Sequence, residues 1–94
     1  MSIEVSRRFA VEEEMLGALV RHEFHVVFQP QVDLVTGHII GAEALCRWSN
    51  KRLGRVSPDE FIPIAEYNGE IINIGRYVIK QSLDFARQIN EKYD

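Results

Sequence analysis

Glu43 and Arg47 are the residues whose types and spacing could do chemistry, because they interrupt the otherwise apolar segment Gly41 to Trp48, GAEALCRW. Side chains alternate between the two faces of a strand, so Glu43, Leu45 and Arg47 should project to one side. The intervening small and apolar residues should project to the other side, where they suit packing beneath helices. The segment therefore predicts a strand with one charged face and one buried face.

Two interpretations of the charged face follow from the residue types. Glu43 and Arg47 can each form a structural salt bridge with another element. Alternatively, the carboxylate binds a hard cation such as Mg²⁺, and the planar guanidinium binds phosphate oxygens. The two groups would then form half of a metal-assisted phosphoryl-transfer site. The Glu-x-x-x-Arg spacing alone leaves both interpretations open.

The elements that must position these residues are predicted from periodicity, turn residues and helix caps. The segment before the strand is a hairpin arm rich in β-branched and aromatic residues. Ser57 and Pro58 have the types expected at a helix start, and Gly69 the type expected at a helix end. The order helix, strand, strand, short helix, long helix predicts an α/β fold. The predicted pieces are a helix over Arg7–His22, a hairpin of Phe24–Leu34 and His38–Trp48 around Thr36-Gly37, a loop over Ser49–Pro58, a short helix ending near Asn68-Gly69, and a helix over Ile71–Lys92.

Composition limits the classes of protein. The chain has 94 residues, 46% of them hydrophobic, and a net charge of −3, which suits one small domain and does not suggest a DNA- or RNA-binding protein. Cys46 is the only cysteine, so an intrachain disulfide is excluded and a reducing, cytoplasmic setting is expected. No apolar run approaches the length of a membrane span.

Several motifs in order resemble the beginning of an EAL domain, a family of bacterial signalling domains. The resemblance is carried by the stretch FQPQVDLVTGHIIGAEALCRW…GRVSPDEFIPIAEYNGEIINIGRYVI. Glu43-Ala44-Leu45 matches the tripeptide that names the family, and Gln29-Pro30 precedes it. Arg47-Trp48, Pro58 with Glu60-Phe61-Ile62, and Ala65-Glu66 before Gly69 follow in the same order. The match runs from about Phe24 into the last helix.

The resemblance implies a fold, an activity and a set of site residues. The fold would be part of a TIM-type (β/α) barrel, whose sites lie at the carboxyl ends of the strands. The activity would be hydrolysis of cyclic di-GMP to linear pGpG with Mg²⁺ or Mn²⁺. Glu43 would be the catalytic metal ligand. The residues that would bind or enclose cyclic di-GMP are Gln29, Leu45, Arg47, Pro58 and Phe61.

Length is the main departure from the family pattern. A TIM barrel takes about 250 residues, and the family's later metal-binding and general-base motifs do not occur in these 94 residues. Residues 1–94 are therefore expected to be the N-terminal portion of an EAL-like domain that is inactive by itself. The alternative is a non-catalytic module that binds cyclic di-GMP or acts through a protein partner, including self-association into a homo-oligomer through exposed strand edges.

The remaining polar residues favour structural roles. His22, His25 and His38 do not have the spacing of metal ligands and are expected at surface or hairpin positions. Cys46 lies on the face opposite Glu43 and is expected to be a small buried residue. Arg52 and Arg55, which flank Gly54 in the loop after the hairpin, are expected to be solvated, with assistance to a phosphate ligand as the alternative. Asp33, Asp59, Glu60, Glu66 and Glu70 are expected in the hairpin, in helix caps or at the surface.

Overall fold

The computed structural model describes residues 3–93, with the side chain of residue 93 left aside. Within that range, three helices pack around one end of a three-stranded antiparallel sheet of order β1-β2-β3. This confirms the predicted α/β class and the order of the predicted elements. The elements are α1 (Ile3–Met15), β1 (Phe24–Val32), β2 (Ile39–Asn50), β3 (Gly54–Val56), α2 (Pro58–Asn68) and α3 (Ile71–Tyr93).

The first helix ends earlier than the periodicity predicts. The prediction of a helix over Arg7–His22 is wrong at its carboxyl end, because α1 ends at Met15 and turns follow to residue 22. Gly17 has a φ of +78°, which leaves the helical region. The Arg21 guanidinium then donates to the carbonyl oxygens of Leu16 at 3.0 Å and Glu14 at 2.6 Å. These bonds satisfy carbonyl groups that the ended helix leaves without an intrahelical donor.

The hairpin is present as predicted, but it is followed by a strand that the sequence did not reveal. Phe24 pairs with Trp48 at one end of the ladder, and the pairing reaches Val32 at the other. The prediction of a loop over Ser49–Pro58 is wrong at both strands, because β2 continues to Asn50 and β3 pairs back onto it, which leaves residues 51–53 as the turn. The Asn50 side-chain oxygen closes the turn by accepting from two backbone amides at 2.9 Å.

The two later helices begin and end close to where the caps predict. The Ser57 hydroxyl accepts from the Asp59 amide at 3.2 Å, and Pro58 occupies the first turn of α2. Gly69 follows α2 with a φ of +85°, a conformation that glycine adopts without a Cβ clash. α3 then runs from Ile71 to Tyr93, and the Tyr77 hydroxyl donates to the Phe24 carbonyl oxygen at 2.9 Å. This bond fixes the first half of α3 against β1.

The core lies at the end of the hairpin that carries Phe24 and Trp48. These two rings stack with centroids 5.4 Å apart, and Phe61 of α2 packs edge-on against both. Aromatic groups of this size dominate the apolar area that a small core can bury. The buried hydrophobic residues are Val11, Met15, Ala18, Phe24, Trp48, Val56, Phe61, Ile64, Ala65 and Ile74.

The other end of the molecule is open. The chain measures 54 × 29 × 22 Å, and its radius of gyration of 16.3 Å exceeds the roughly 12 Å typical of a compact chain of this length. On α3, the apolar side chains of Ile72, Ile79 and Leu83 are 60–63% exposed. None of the helices in residues 3–93 is long and apolar enough to cross a membrane.

Candidate functional site

The register of the hairpin gathers the predicted site residues on one face. Glu43 pairs directly with Gln29, Leu45 with Val27, and Arg47 with His25. Directly paired residues project to the same side of an antiparallel sheet, with Cβ atoms about 5 Å apart. The predicted grouping of Glu43, Leu45 and Arg47 therefore holds in the ladder, and β1 adds Gln29 beside the carboxylate.

The opposite face of the hairpin is the packing face, which fixes the direction in which the site residues project. Trp48 is buried in the core and Cys46 is half-buried. Farther along the hairpin, Phe28 stacks on Phe85 of α3 with ring centroids 4.0 Å apart. Burial raises the pKa of the Cys46 thiol, so it stays protonated at neutral pH and is a poor nucleophile. Because a shift by one residue would exchange the two faces, this packing also holds the site residues outward.

The charges of Glu43 and Arg47 are not used in salt bridges within residues 3–93. Four other arginines do have glutamate partners: Arg7, Arg8, Arg21 and Arg52. Glu43 and Arg47 are both exposed and four residues apart on one strand, roughly 13 Å, so they cannot pair with each other. The salt-bridge interpretation therefore has no partner group in the part of the chain described, and both charges remain available to a ligand.

Arg47 lines a cleft of about 610 Å³ at the end of the hairpin. Pro58, the first residue of α2, lines the same cleft, as do Ser57 and Trp48. A volume of this size is within the range of small-molecule sites, about 300–1,000 Å³. Pro58 thus lies where a ligand held by Arg47 would contact it.

Phe61 lies behind the cleft. Its side chain is fully buried, with ring centroids 5.6 Å from Phe24 and 5.8 Å from Trp48. It has no exposed surface to offer a ligand in this structure. Its contribution to the cleft comes through Trp48, whose ring it holds against the core.

The donor chemistry of the face suits a hard divalent cation, but the donor set is small. Glu43 supplies a carboxylate and Gln29, directly across the ladder, supplies an amide oxygen. Mg²⁺ prefers six oxygen ligands, some of which are waters. No group of three or more acidic, histidine or cysteine side chains within residues 3–93 is placed to hold a metal ion. Among residues 3–93, the groups that could bind the metal ion on this face are therefore the Glu43 carboxylate and the Gln29 amide oxygen beside it.

Two of the acidic residues that were predicted to have structural roles, Asp33 and Glu60, form hydrogen bonds or ion pairs of that kind. Asp33 accepts from the Val35 amide at 2.8 Å within the hairpin turn. Glu60 forms a two-pronged ion pair with Arg7, at 2.8 and 3.0 Å, and this pair lowers the pKa of its carboxyl. Glu23, which the sequence did not single out, accepts from Trp48 Nε1 at 2.9 Å and from Arg21 at 2.7 Å.

Arg55 is the cleft residue that the sequence reasoning placed in a solvated loop. It lines the same cleft as Arg47, because β3 pairs it with Ser49 on the exposed face of β2. The Asn50 and Gly54 turn could have indicated a second hairpin, but a three-residue strand has too few residues for alternation to be visible. His25 also lines the cleft, at the hairpin position predicted for it.

Comparison with known proteins places the chain among signalling domains. The family model described as the EAL domain matches residues 12–94. The chain is 40% identical over 91 residues to the oxygen sensor protein DosP of Escherichia coli K12, covering 97% of this chain and 11% of DosP. It is 41% identical over 87 residues to the cyclic di-GMP phosphodiesterase PA2567 of Pseudomonas aeruginosa, covering 92% of this chain and 15% of that relative.

Solved structures agree with this placement. The PaMucR phosphodiesterase, in its complex with cyclic di-GMP, superposes with a TM-score of 0.84 at 31% identity, covering 89% of this chain and 34% of that one. The EAL enzyme Bd1971 in its cGMP-bound form superposes with a TM-score of 0.80 at 35% identity, covering 94% of this chain and 24% of that one. The chain thus spans a minor part of the length of each relative. It belongs to the EAL domain family.

Proposed function

We propose that residues 1–94 form the N-terminal portion of an EAL domain that hydrolyses cyclic di-GMP to linear pGpG. The observation that carries the proposal is the exposed face of the hairpin, where Gln29, Glu43, Leu45 and Arg47 lie together and the two charges lack ion-pair partners in residues 3–93. The similarity to a cyclic di-GMP phosphodiesterase and to a phosphodiesterase solved with that ligand supports the choice of substrate.

The residues of this face would bind and orient the dinucleotide. Arg47, which lines the cleft, has a planar donor group that matches two phosphate oxygens. Leu45 supplies apolar surface between Arg47 and Glu43, and Gln29 supplies an amide that can donate to or accept from the ligand. Pro58 lines the same cleft, and its ring fixes the backbone at the start of α2.

Glu43 would hold a Mg²⁺ or Mn²⁺ ion, with the Gln29 amide oxygen beside it. When bound, such an ion lowers the pKa of a coordinated water and neutralises charge on a phosphodiester. Glu43 lies on the same face as Arg47, roughly 13 Å along the strand, which leaves room for a nucleotide between them. Arg47 would thus hold one phosphate of the cyclic dinucleotide while the other phosphodiester, the one to be hydrolysed, lies toward the Glu43 carboxylate.

We expect the chain by itself not to hydrolyse cyclic di-GMP. Among residues 3–93, Glu43 is the carboxylate that the exposed face supplies, and no group of three or more acidic, histidine or cysteine side chains is placed to hold a metal ion. The hairpin, α2 and α3 would be the first elements of a (β/α) barrel, and a single carboxylate on an open face holds a metal weakly. Binding without turnover is the behaviour this geometry supports best.

The experiment is a titration of the chain with cyclic di-GMP in the presence of Mg²⁺, with the nucleotides separated chromatographically afterwards. We expect weak, saturable binding that Arg47→Gln abolishes, and no pGpG. Arg87→Gln is the matched control, because it removes the same charge from the exposed surface of α3. Turnover that Glu43→Gln abolishes would contradict the expected inactivity, and wild-type affinity in Arg47→Gln would contradict the site itself.

A second candidate function is self-association of a non-catalytic module, and the open end of the molecule favours it. An apolar groove of about 700 Å³ lies between the hairpin and α3, lined by Phe28, Ile39 and Phe85. The outer edge of β1 has no partner strand in residues 3–93, and edges of this kind pair with other chains. Light scattering over a rising concentration series tests this function. A dimer that Ile39→Lys dissociates would support it, and a monomer throughout would refute it.

A further inference from the structure

A second arginine shares the cleft of Arg47. Arg55 lies on β3, and its direct partner on β2 is Ser49, two residues beyond Arg47. Side chains two residues apart on a strand share a face, so Arg47 and Arg55 are diagonal neighbours across the β2–β3 ladder. Both line the cleft of about 610 Å³ in front of Pro58.

The two positive guanidinium groups lie in the same cleft, and no ion pair within residues 3–93 explains why they are there. Arg47 and Arg55 are diagonal rather than directly opposite, but diagonal positions remain within reach of long side chains, and two positive charges in one cleft repel each other. Neither arginine has a carboxylate within ion-pair distance among residues 3–93. Arg52, three residues before Arg55, shows the ordinary alternative, because it pairs with Glu13 at 3.4 Å and with Glu14 at 3.2 Å. An anion bound in the cleft would offset the repulsion between the two guanidinium groups and accept hydrogen bonds from both.

We infer that Arg55 is a second ligand-binding residue of the cleft, which contacts an anionic phosphate oxygen of the dinucleotide together with Arg47. This inference rests on the proposed function and extends it from one arginine to two. A cyclic dinucleotide carries two phosphodiester charges, so a pair of guanidinium groups matches its charge. The ladder through Asn50 and Gly54 holds Arg55 in place, because β3 is tied to β2 on one side and leads into α2 on the other.

The test is an NMR titration of the ¹⁵N-labelled chain with cyclic di-GMP, comparing wild type with Arg55→Gln, Arg52→Gln and Arg47→Gln. Arg52→Gln is the matched control, since it removes the same charge from the same hairpin but from a side chain paired with α1. We expect Arg55→Gln to weaken binding by roughly tenfold, the scale of one charge-assisted contact, and Arg52→Gln by less than about twofold. Unchanged shifts away from the substituted residue and its strand neighbours establish that each variant is folded.

Salt and a conservative variant separate a ligand contact from a structural effect. The difference in affinity between wild type and Arg55→Gln should shrink as sodium chloride is raised, because salt screens exposed charges. Arg55→Lys should recover part of the affinity, because it keeps the charge and loses the fork.

The outcomes distinguish the role of Arg55 from the proposed binding of cyclic di-GMP by the site as a whole. Equal affinities for Arg55→Gln and Arg52→Gln would overturn the role of Arg55, and the proposed function would stand if Arg47→Gln still abolished binding. Wild-type affinity in Arg47→Gln would overturn the proposed function. The absence of saturable shifts in the wild-type chain at millimolar ligand would count against both.

Discussion

Replacing Glu23 by glutamine should make the stability of this chain much less sensitive to acid. Glu23 precedes β1, and its carboxylate accepts from Arg21 Nε at 2.7 Å, from Trp48 Nε1 at 2.9 Å and from Asn50 Nδ2 at 3.0 Å. The hydrogen bond from Arg21 is the largest cause that lowers the pKa of Glu23 from 4.5 to about 2, with burial opposing it and Trp48 and Asn50 adding to it.

The size of the effect follows from that pKa. A tenfold change in proton affinity is worth about 1.4 kcal/mol, so a fall from 4.5 to about 2 corresponds to at most about 3.5 kcal/mol. Arg21 is 44% exposed, and solvent screens its contribution, so about 1–2 kcal/mol is the working figure. Because the folded pKa is depressed, this stability is present above the unfolded pKa and is lost as pH falls toward the folded pKa.

Urea unfolding followed by Trp48 fluorescence measures this, since Trp48 is the only tryptophan and donates to Glu23. Near pH 7 the wild type should be more stable than Glu23→Gln by about 1–2 kcal/mol, and the difference should shrink as pH falls below about 4.5 and approach zero near about pH 2. The glutamine oxygen still accepts from Trp48 and Asn50, so the variant should fold. Glu13→Gln, at a side chain that is 52% exposed, is the control and should show no such closing difference. A difference that stays constant with pH, or one that Glu13→Gln reproduces, would refute the reasoning.

Three further substitutions test the support of the site by unfolding in urea. Phe61→Ala should cost about 3–5 kcal/mol, because it empties the buried space between Phe24 and Trp48; a loss below about 1 kcal/mol would mean that Phe61 is not part of the core. Ser57→Ala should cost about 1 kcal/mol by removing the cap of α2, and a neutral result would show that the 3.2 Å contact does not hold the helix. Arg7→Gln should cost less than about 1 kcal/mol, because the ion pair with Glu60 is about one third exposed, and raised salt should remove the difference.

The parts of the fold that were predictable from sequence depend on local chemistry. Ser57 and Gly69 bound α2 as predicted, because a cap hydroxyl and a left-handed glycine act within a few residues of their own position. The shared face of Glu43 and Arg47 was predictable for a similar reason, since alternation belongs to any strand. These features do not depend on which other elements are packed nearby.

The parts that were not predictable depend on side chains that fold back onto the backbone of a nearby turn. α1 ends at Met15, where Gly17 leaves the helical region and Arg21 reaches back to the Glu14 and Leu16 carbonyl groups. The pairing of β3 depends on Asn50 folding its side chain over the turn, which alternation over three residues cannot reveal. Phe61 illustrates the same limit, because an apolar residue near a predicted site can line a pocket or fill the core behind it.

The division of the hairpin into two faces explains how one strand can serve both stability and ligand binding. Trp48 and Arg47 are consecutive, yet Trp48 is fully buried while Arg47 projects into the cleft. Glu23 accepts a hydrogen bond from the Trp48 indole nitrogen, and Phe61 packs edge-on against the indole ring. Because Arg47 is the next residue on the strand, its orientation depends on these two groups, neither of which contacts the ligand in the proposed site. Substitutions at Glu23 or Phe61 should therefore weaken ligand binding together with stability, whereas substitutions at Arg47 or Arg55 should weaken binding alone. Measuring both quantities on the same variants separates residues that bind from residues that hold the binding face in place.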